Sequence, residues 1–227
     1  MKRCYSTFKK PLNSNQLQLF SLESCKSMNQ IKQTHAHLIT TGLILHPITA
    51  NKLLKVLIAS SFGSLSYAHQ LFDQIPKPDV FIYNTMIKAH AVIPTSSHNS
   101  MRIFLSMVRV SGFLPNRYTF VFVFKACGNG LGVLEGEQIR VHAIKIGLES
   151  NLFVTNAMIR MYANWGLVDE ARRVFDWSLD QDLYSWNITI GGYVGSGEIG
   201  RAKEMFDEMS ERDVVSWTTI IAGYVQV

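Results

Sequence analysis

Apolar residues recur along most of the chain at the i, i+3, i+4, i+7 spacing of an amphipathic helix. One stripe reads Tyr83, Met86, Ile87 and His90, another Phe120, Val123, Phe124 and Cys127, and a third Trp217, Ile220, Ile221 and Tyr224. Glycine-containing breaks at Gly63, Gly166 and Gly197 separate first helical patterns from second ones. In the second patterns a small residue and a phenylalanine stand four apart: Ala68 with Phe72, Ala171 with Phe175, and Ala202 with Phe206. The small residue allows close approach and the ring fills the space beside it. The pattern predicts helical hairpins, and the β-branched residues follow helical spacing rather than the alternation of strands.

The hairpins repeat. Residues 152–182 and 183–213 are both 31 long, and NAMIRMY with GLVDEARRVFD in the first is restated as NITIGGY with GEIGRAKEMFD in the second. The same template falls on residues 117–151, 80–116 and 47–79, which are 35, 37 and 33 long. A degraded copy occupies residues 15–46, anchored by QTHAHLITTGL (Gln33 to Leu43), which aligns with QIRVHAIKIGL (Gln138 to Leu148). Residues 214–227 begin a further unit with its first helix only. A recurrent unit of this length predicts a stacked array, because a lone hairpin cannot bury its apolar stripe whereas neighbours bury one another's. Within the 37-residue unit the polar, proline-containing stretch Ile93 to Asn99 is expected to form a lengthened loop.

Composition changes this picture little. The chain is 47% apolar and 17% charged, enough to build a core, and it contains no apolar run of the roughly 18 to 20 residues that span a bilayer. The formal charge of +5 is concentrated in Lys2, Arg3, Lys9 and Lys10, ahead of the first acid, Glu23. Residues 1–14 are thus a basic leader, either an organellar targeting peptide or a basic tail. Cys4, Cys25 and Cys127 lack paired spacing and read as reduced thiols. No H-x-E with a downstream C-x-x-C, glycine-rich phosphate loop or nucleophile elbow is present, so neither an enzyme nor a metal site is expected. His35 and His37 alternate on a helix and do not suit one metal; His37 and its counterpart His142 are expected to share a packing role.

YNTMIKAH (Tyr83 to His90), NAMIRMYANWGLVDEARRVFD (Asn156 to Asp176) and DVVSWTTIIAGY (Asp213 to Tyr224) resemble the pentatricopeptide repeat family, in its plant form with alternating long, standard and short units. The resemblance covers residues 15 to 227 and implies an all-α, right-handed superhelical α-solenoid of stacked helix-turn-helix repeats, here truncated at the C-terminus. It further implies a monomeric, cofactor-free protein of the mitochondrion or chloroplast, the mitochondrion first. Its partner would be single-stranded organellar RNA read at one base per unit, with editing-complex proteins as further partners and RNA editing or other transcript processing as the role.

Counting from the first residue of each unit, places two, five and nine share a helix face apart from the core stripe. Place two holds Ile48, Phe81, Tyr118, Phe153, Tyr184 and Val215, apolar or aromatic groups suited to stacking on bases. Place five holds Asn51, Asn84, Val121, Asn156, Asn187 and Thr218; recurrence of a mediocre helix former suggests a use for the amide. Place nine holds Lys55, Lys88, Lys125 and Arg160, suited to phosphates. The plain alternatives are solvated cations at place nine and local capping or backbone bonding by the asparagines.

The resemblance assigns base choice jointly to place five and the last residue of the unit. Asn51 with Asp79, Asn156 with Asp182 and Asn187 with Asp213 look uridine-preferring, Asn84 with Asn116 cytidine-leaning, and Thr218 purine-preferring, while Val121 with Asn151 fits no rule. The implied target is 5′-U-C-N-U-U-purine-3′. Competing readings are a protein-binding helical scaffold, against which the variable unit length counts, and a non-functional truncated fragment of an RNA-editing factor, whose final helix would expose Trp217, Ile220 and Ile221.

Overall fold

The computed structural model describes Leu22 and residues 24–226, so the leader, Cys4 and the start of the degraded copy lie outside the described residues. The described chain is helical, in successive hairpins. Following α1 (Met28–Thr40), the first helices are α2 (Pro47–Ala59), α4 (Val80–Ala91), α6 (Arg117–Gly130), α8 (Leu152–Asn164), α10 (Leu183–Gly195) and α12 (Val214–Gln226). The second helices are α3 (Leu65–Gln74), α5 (Ser97–Ser106), α7 (Val133–Ile146), α9 (Val168–Trp177) and α11 (Ile199–Glu208). No helix among the described residues is long and apolar enough to cross a membrane.

The chain forms two compact units, one ending at Thr85 and one beginning at Met86. In the first, α2 buries Ala50, Leu53, Leu54 and Leu57 completely or almost so, and α3 buries Ala68 and Phe72. Gly63 marks the break between them: a Cβ there would stand 2.0 Å from the Leu57 carbonyl oxygen, so only glycine lets the chain turn back this tightly. In the second unit α6, α8, α10 and α12 are neighbours in sequence order, each first helix packed on the next, and the second helices fold back on them. Gly166 (φ 72°) and Gly197 (φ 77°) end α8 and α10 in the left-handed region that favours glycine.

The stacking contact repeats as the sequence does. A second-helix phenylalanine meets, edge to face, the aromatic ring at place four of the following unit: Phe72 on Tyr83 at 5.5 Å, Phe104 on Phe120 at 5.9 Å, Phe175 on Trp186 at 4.7 Å and Phe206 on Trp217 at 4.8 Å. Offset geometry of this kind lets the electron-poor ring edge face the electron-rich ring face. Thr155, Met158, Ile159 and Tyr162 are all buried in the same way.

Three expectations are corrected. Ile93 to Asn99 is not a long loop: after a short turn at Pro94–Ser96, α5 begins at Ser97, and Ser97 and Ser100 are fully buried. Just beyond the stretch, the Ser100 hydroxyl donates to the Ile87 carbonyl at 3.0 Å, which satisfies a polar group buried on the same helix. The extra length falls instead after α5, in a π-turn at Met107–Ser111 and an extended run to Asn116. Secondly, His37 is exposed, whereas its neighbour His35 is buried and bonded to the Tyr67 hydroxyl at 2.7 Å; His142 packs edge-on to Phe104. Thirdly, Ile220 is buried on α12 while Trp217, Ile221 and Tyr224 are exposed.

Candidate nucleic-acid interface

From α4 onward each first helix opens on a polar residue whose side chain caps it, whereas α2 follows His46 without a side-chain cap. Asp79 accepts the Ile82 N–H at 2.8 Å, Asn116 those of Tyr118 and Thr119, Asn151 that of Phe153, Asp182 that of Ser185 at 2.8 Å and Asp213 that of Ser216 at 2.8 Å. These five caps are the last residues of the sequence units, so the residue at the end of one unit starts the first helix of the next. A cap supplies the acceptor that the first turn lacks.

Two caps do more. The Asn156 amide donates to Asp182 at 3.2 Å and the Asn187 amide donates to Asp213 at 3.1 Å, each to the residue that caps the following first helix. A carboxylate can only accept, so the NH₂ end of each asparagine must face it and the amide oxygen must point away. Both amide oxygens, Oδ1 of Asn156 and of Asn187, are buried without a hydrogen-bond partner. Local capping by these asparagines is therefore not what they do. Thr218, by contrast, bonds its own helix backbone: its hydroxyl donates to the Val214 carbonyl at 2.8 Å within α12.

The remaining place-five residues differ. Asn51 accepts from the Thr85 hydroxyl at 2.7 Å. Asn84 is buried in the first compact unit and Asn116 belongs to the second. Val121 lines a cleft on the second unit.

Every place-two residue is exposed, from Tyr184 at 51% to Ile48 at 71%, although each is apolar or aromatic. The exposure matters because the same helices bury other apolar residues, such as Phe120, Val123 and Phe124 on α6. Lys55, Lys88, Lys125 and Arg160 are exposed as well. Several of these groups pair by cation and ring. The Arg160 guanidinium lies 5.4 Å from the Tyr184 ring centre and donates to its hydroxyl at 3.2 Å, and Lys88 lies 5.6 Å from Phe122. Arg117, a residue the sequence reading did not single out, stands 5.0 Å from Tyr118 and 5.4 Å from Phe153. Its place directly before an exposed aromatic was the available signal. Such contacts hold flat rings in fixed orientation while leaving a face open.

On the second compact unit these side chains converge. A cleft of about 650 Å³ between α6 and α8 is lined by Phe153, Asn156, Lys125, Arg160, Asp182 and Tyr184 among others. The next, of about 940 Å³ between α8 and α10, is lined by Arg160, Tyr184, Asn187, Asp213 and Val215. Arg160 and Tyr184 belong to both, so the clefts adjoin and repeat one composition: ring, amide, carboxylate, cation. Acidic residues elsewhere on this unit are largely paired on the second helices, as in Arg172 with Asp176 and Glu208, and Arg201 with Asp169 and Glu198.

Comparison with known proteins agrees with this architecture. The PPR repeat family model matches residues 153–176 and 184–214. A putative pentatricopeptide repeat-containing protein of Arabidopsis thaliana is 38% identical over 153 residues, 67% of this chain and 22% of that protein. A chloroplastic one from the same plant is 36% identical over 165 residues (72% of this chain, 22% of that protein), and a chloroplastic/mitochondrial one is 35% identical over 160 residues (70% and 25%). The chain thus spans about a fifth to a quarter of the length of these relatives. Among solved structures it is similar to the pentatricopeptide repeat protein PPR10 in complex with an 18-nt psaJ RNA element, at 18% identity and a TM-score of 0.41, covering 92% of this chain and 37% of that one. The corresponding values for PPR10 from maize are 17%, 0.44, 88% and 34%. With its hairpins, its matched repeats and its Arabidopsis relatives over about two thirds of its length, the chain is a PPR repeat protein.

Proposed function

We propose that this chain binds single-stranded RNA along the faces of its first helices, about one base to a unit, as an organellar PPR protein of the PLS type that takes part in RNA editing or other transcript processing in a chloroplast or mitochondrion. The observation that carries the proposal is the repeated cleft. An exposed ring at place two (Phe153, Tyr184), an amide at place five (Asn156, Asn187) and a carboxylate at the unit's end (Asp182, Asp213) recur in adjoining clefts that share the cation Arg160, at place nine of the earlier unit. A flexible polyanion with flat bases is the ligand that matches all four groups at a regular interval.

Roles divide accordingly. Ile48, Phe81, Tyr118, Phe153, Tyr184 and Val215 take base faces, where stacking is worth about 1 to 3 kcal/mol per base. Asn51 with Asp79, Asn84 with Asn116, Asn156 with Asp182, Asn187 with Asp213, and Thr218 take base edges. The orphan amide oxygens of Asn156 and Asn187 favour this reading, since a buried acceptor without a partner costs about 1 to 3 kcal/mol and an N–H on a base edge would relieve it. Lys55, Lys88, Lys125 and Arg160 take phosphates.

Salt dependence tests the phosphate role. Each phosphate contact to a single strand contributes about 0.7 to the slope of log K against log salt. Replacing Lys55, Lys88 and Lys125 together by alanine is expected to lower that slope by about 2 in a titration between low and physiological salt. An unchanged slope would return these lysines to the status of solvated side chains.

A further inference from the structure

Asn51, Asn156 and Asn187 occupy the same place in units that end in aspartate, yet their amides are held differently. In the later two the NH₂ group is bound by the capping aspartate, at 3.2 Å and 3.1 Å, and the amide can take only one orientation. Asn51 is bonded instead to Thr85, at 2.7 Å, while Asp79 serves the Ile82 N–H of its own helix.

Thr85 is the sixth residue of the following unit. The corresponding residue beside Asn156 is Ile188, which is buried and offers no polar group. Beside Asn187 it is Thr219, whose hydroxyl is turned back to the Val215 carbonyl at 2.7 Å. Only at Asn51, among these three, does a hydroxyl from the next unit reach the amide.

A hydroxyl both donates and accepts, and its hydrogen rotates to suit. The Asn51 amide can therefore turn over and keep its hydrogen bond: with the oxygen on Thr85 the NH₂ group is presented, and with the NH₂ group on Thr85 the oxygen is presented. The distinction matters for pyrimidines, because N3 of uracil carries a hydrogen and N3 of cytosine carries a lone pair. An amide whose NH₂ group is held by the aspartate has only its oxygen left for a base edge and favours uracil; an amide free to turn accepts either.

Resting on the RNA-binding reading above, we infer that Thr85 is a positioning residue that makes the unit of residues 47–79 accept uridine and cytidine alike, in contrast to the uridine-selective units carrying Asn156 and Asn187. The first base of the target then reads as a pyrimidine rather than as uridine.

The test is a set of equilibrium titrations of the full chain with 5′-UCAUUA-3′ and with versions carrying cytidine at the first, fourth or fifth base. For the unaltered protein the ratio of affinities for uridine and cytidine is expected to stay within about twofold at the first base, and to reach roughly fivefold, the worth of one net hydrogen bond, at the fourth and fifth. Thr85→Val keeps the shape and removes the hydroxyl, leaving Asp79 as the partner for Asn51. It should raise the ratio at the first base to that of the other two and leave theirs unchanged, while Thr85→Ser should behave like the unaltered protein.

Equal uridine selectivity at all three bases in the unaltered protein would overturn the inference without any variant, and so would a Thr85→Val ratio that does not move. RNA binding with no base preference at any position would defeat base reading as a whole, and absence of RNA binding would defeat the underlying reading; these outcomes are told apart by the same titrations.

Discussion

Asp182 carries two loads with one carboxylate: it takes the Ser185 N–H at the start of α10 and the Asn156 amide from the unit before. Asp213 is arranged likewise, and the Ser216 N–H together with the Asn187 amide holds its carboxyl below the usual carboxylate range. A depressed folded-state value means that the contribution is present above the unfolded carboxylate value near 4 and is lost only as pH falls through the lower folded value. Asp213 therefore stays charged and keeps hold of the Asn187 amide at neutral pH. Separating the two loads gives a prediction. Asp182→Ala should cost about 1 kcal/mol of stability for the lost cap, seen as a lower Tm, and should weaken uridine selectivity at the facing base. Asp182→Asn keeps a capping oxygen, so it should leave Tm nearly unchanged and shift only the base preference. A Tm drop of equal size in both variants would show that the side chain acts through its charge on the helix rather than as a cap. The sequence makes Asn156 conspicuous through recurrence at one place, but the double use of Asp182 joins residues 26 apart and is settled by how one hairpin sits on the next.

The hairpins are legible in the sequence wherever the stripe is apolar, as in Phe120, Val123 and Phe124, because burial of such a stripe has one geometric solution. Where buried groups are polar the sequence misleads. Ser97 reads as a loop residue and is fully buried in α5. His35 and His37 look interchangeable on α1, and only the partner on α3, Tyr67, distinguishes the buried one. Buried His35 and half-buried His142 have a measurable consequence. Burial lowers the pKa of His35, and burial followed by the neighbouring charges of Lys145 and Arg109 lowers that of His142. A histidine depressed in the folded state supports folding fully above its unfolded value near 6.5 and withdraws that support as pH falls through its folded value. Tm is therefore expected to decline as pH is lowered from about 7.5 to 5.5, and His142→Gln should flatten part of the decline. A Tm independent of pH over that window would mean that neither ring is protonated preferentially on unfolding.

Along the chain the charges are sorted rather than simply abundant. The net charge of +5 derives largely from Lys2, Arg3, Lys9 and Lys10, so overall basicity says little about the groove. What distinguishes the second compact unit is local: Lys125 and Arg160 line the clefts, whereas Arg172 and Arg201 are occupied by carboxylates on α9 and α11. Free cations thus lie on the face that carries the exposed rings, and neutralised ones lie on the second helices. In the proposed function this arrangement ties affinity to single-stranded RNA with stacked bases and selectivity to the place-five amides. The most direct test is to measure the affinity of the full chain for 5′-UCAUUA-3′ and for a poly-A strand of the same length at one fixed salt concentration. The account predicts clearly tighter binding to 5′-UCAUUA-3′, with the loss concentrated at the bases that face Asn156 and Asn187; equal affinity for the two strands would contradict it.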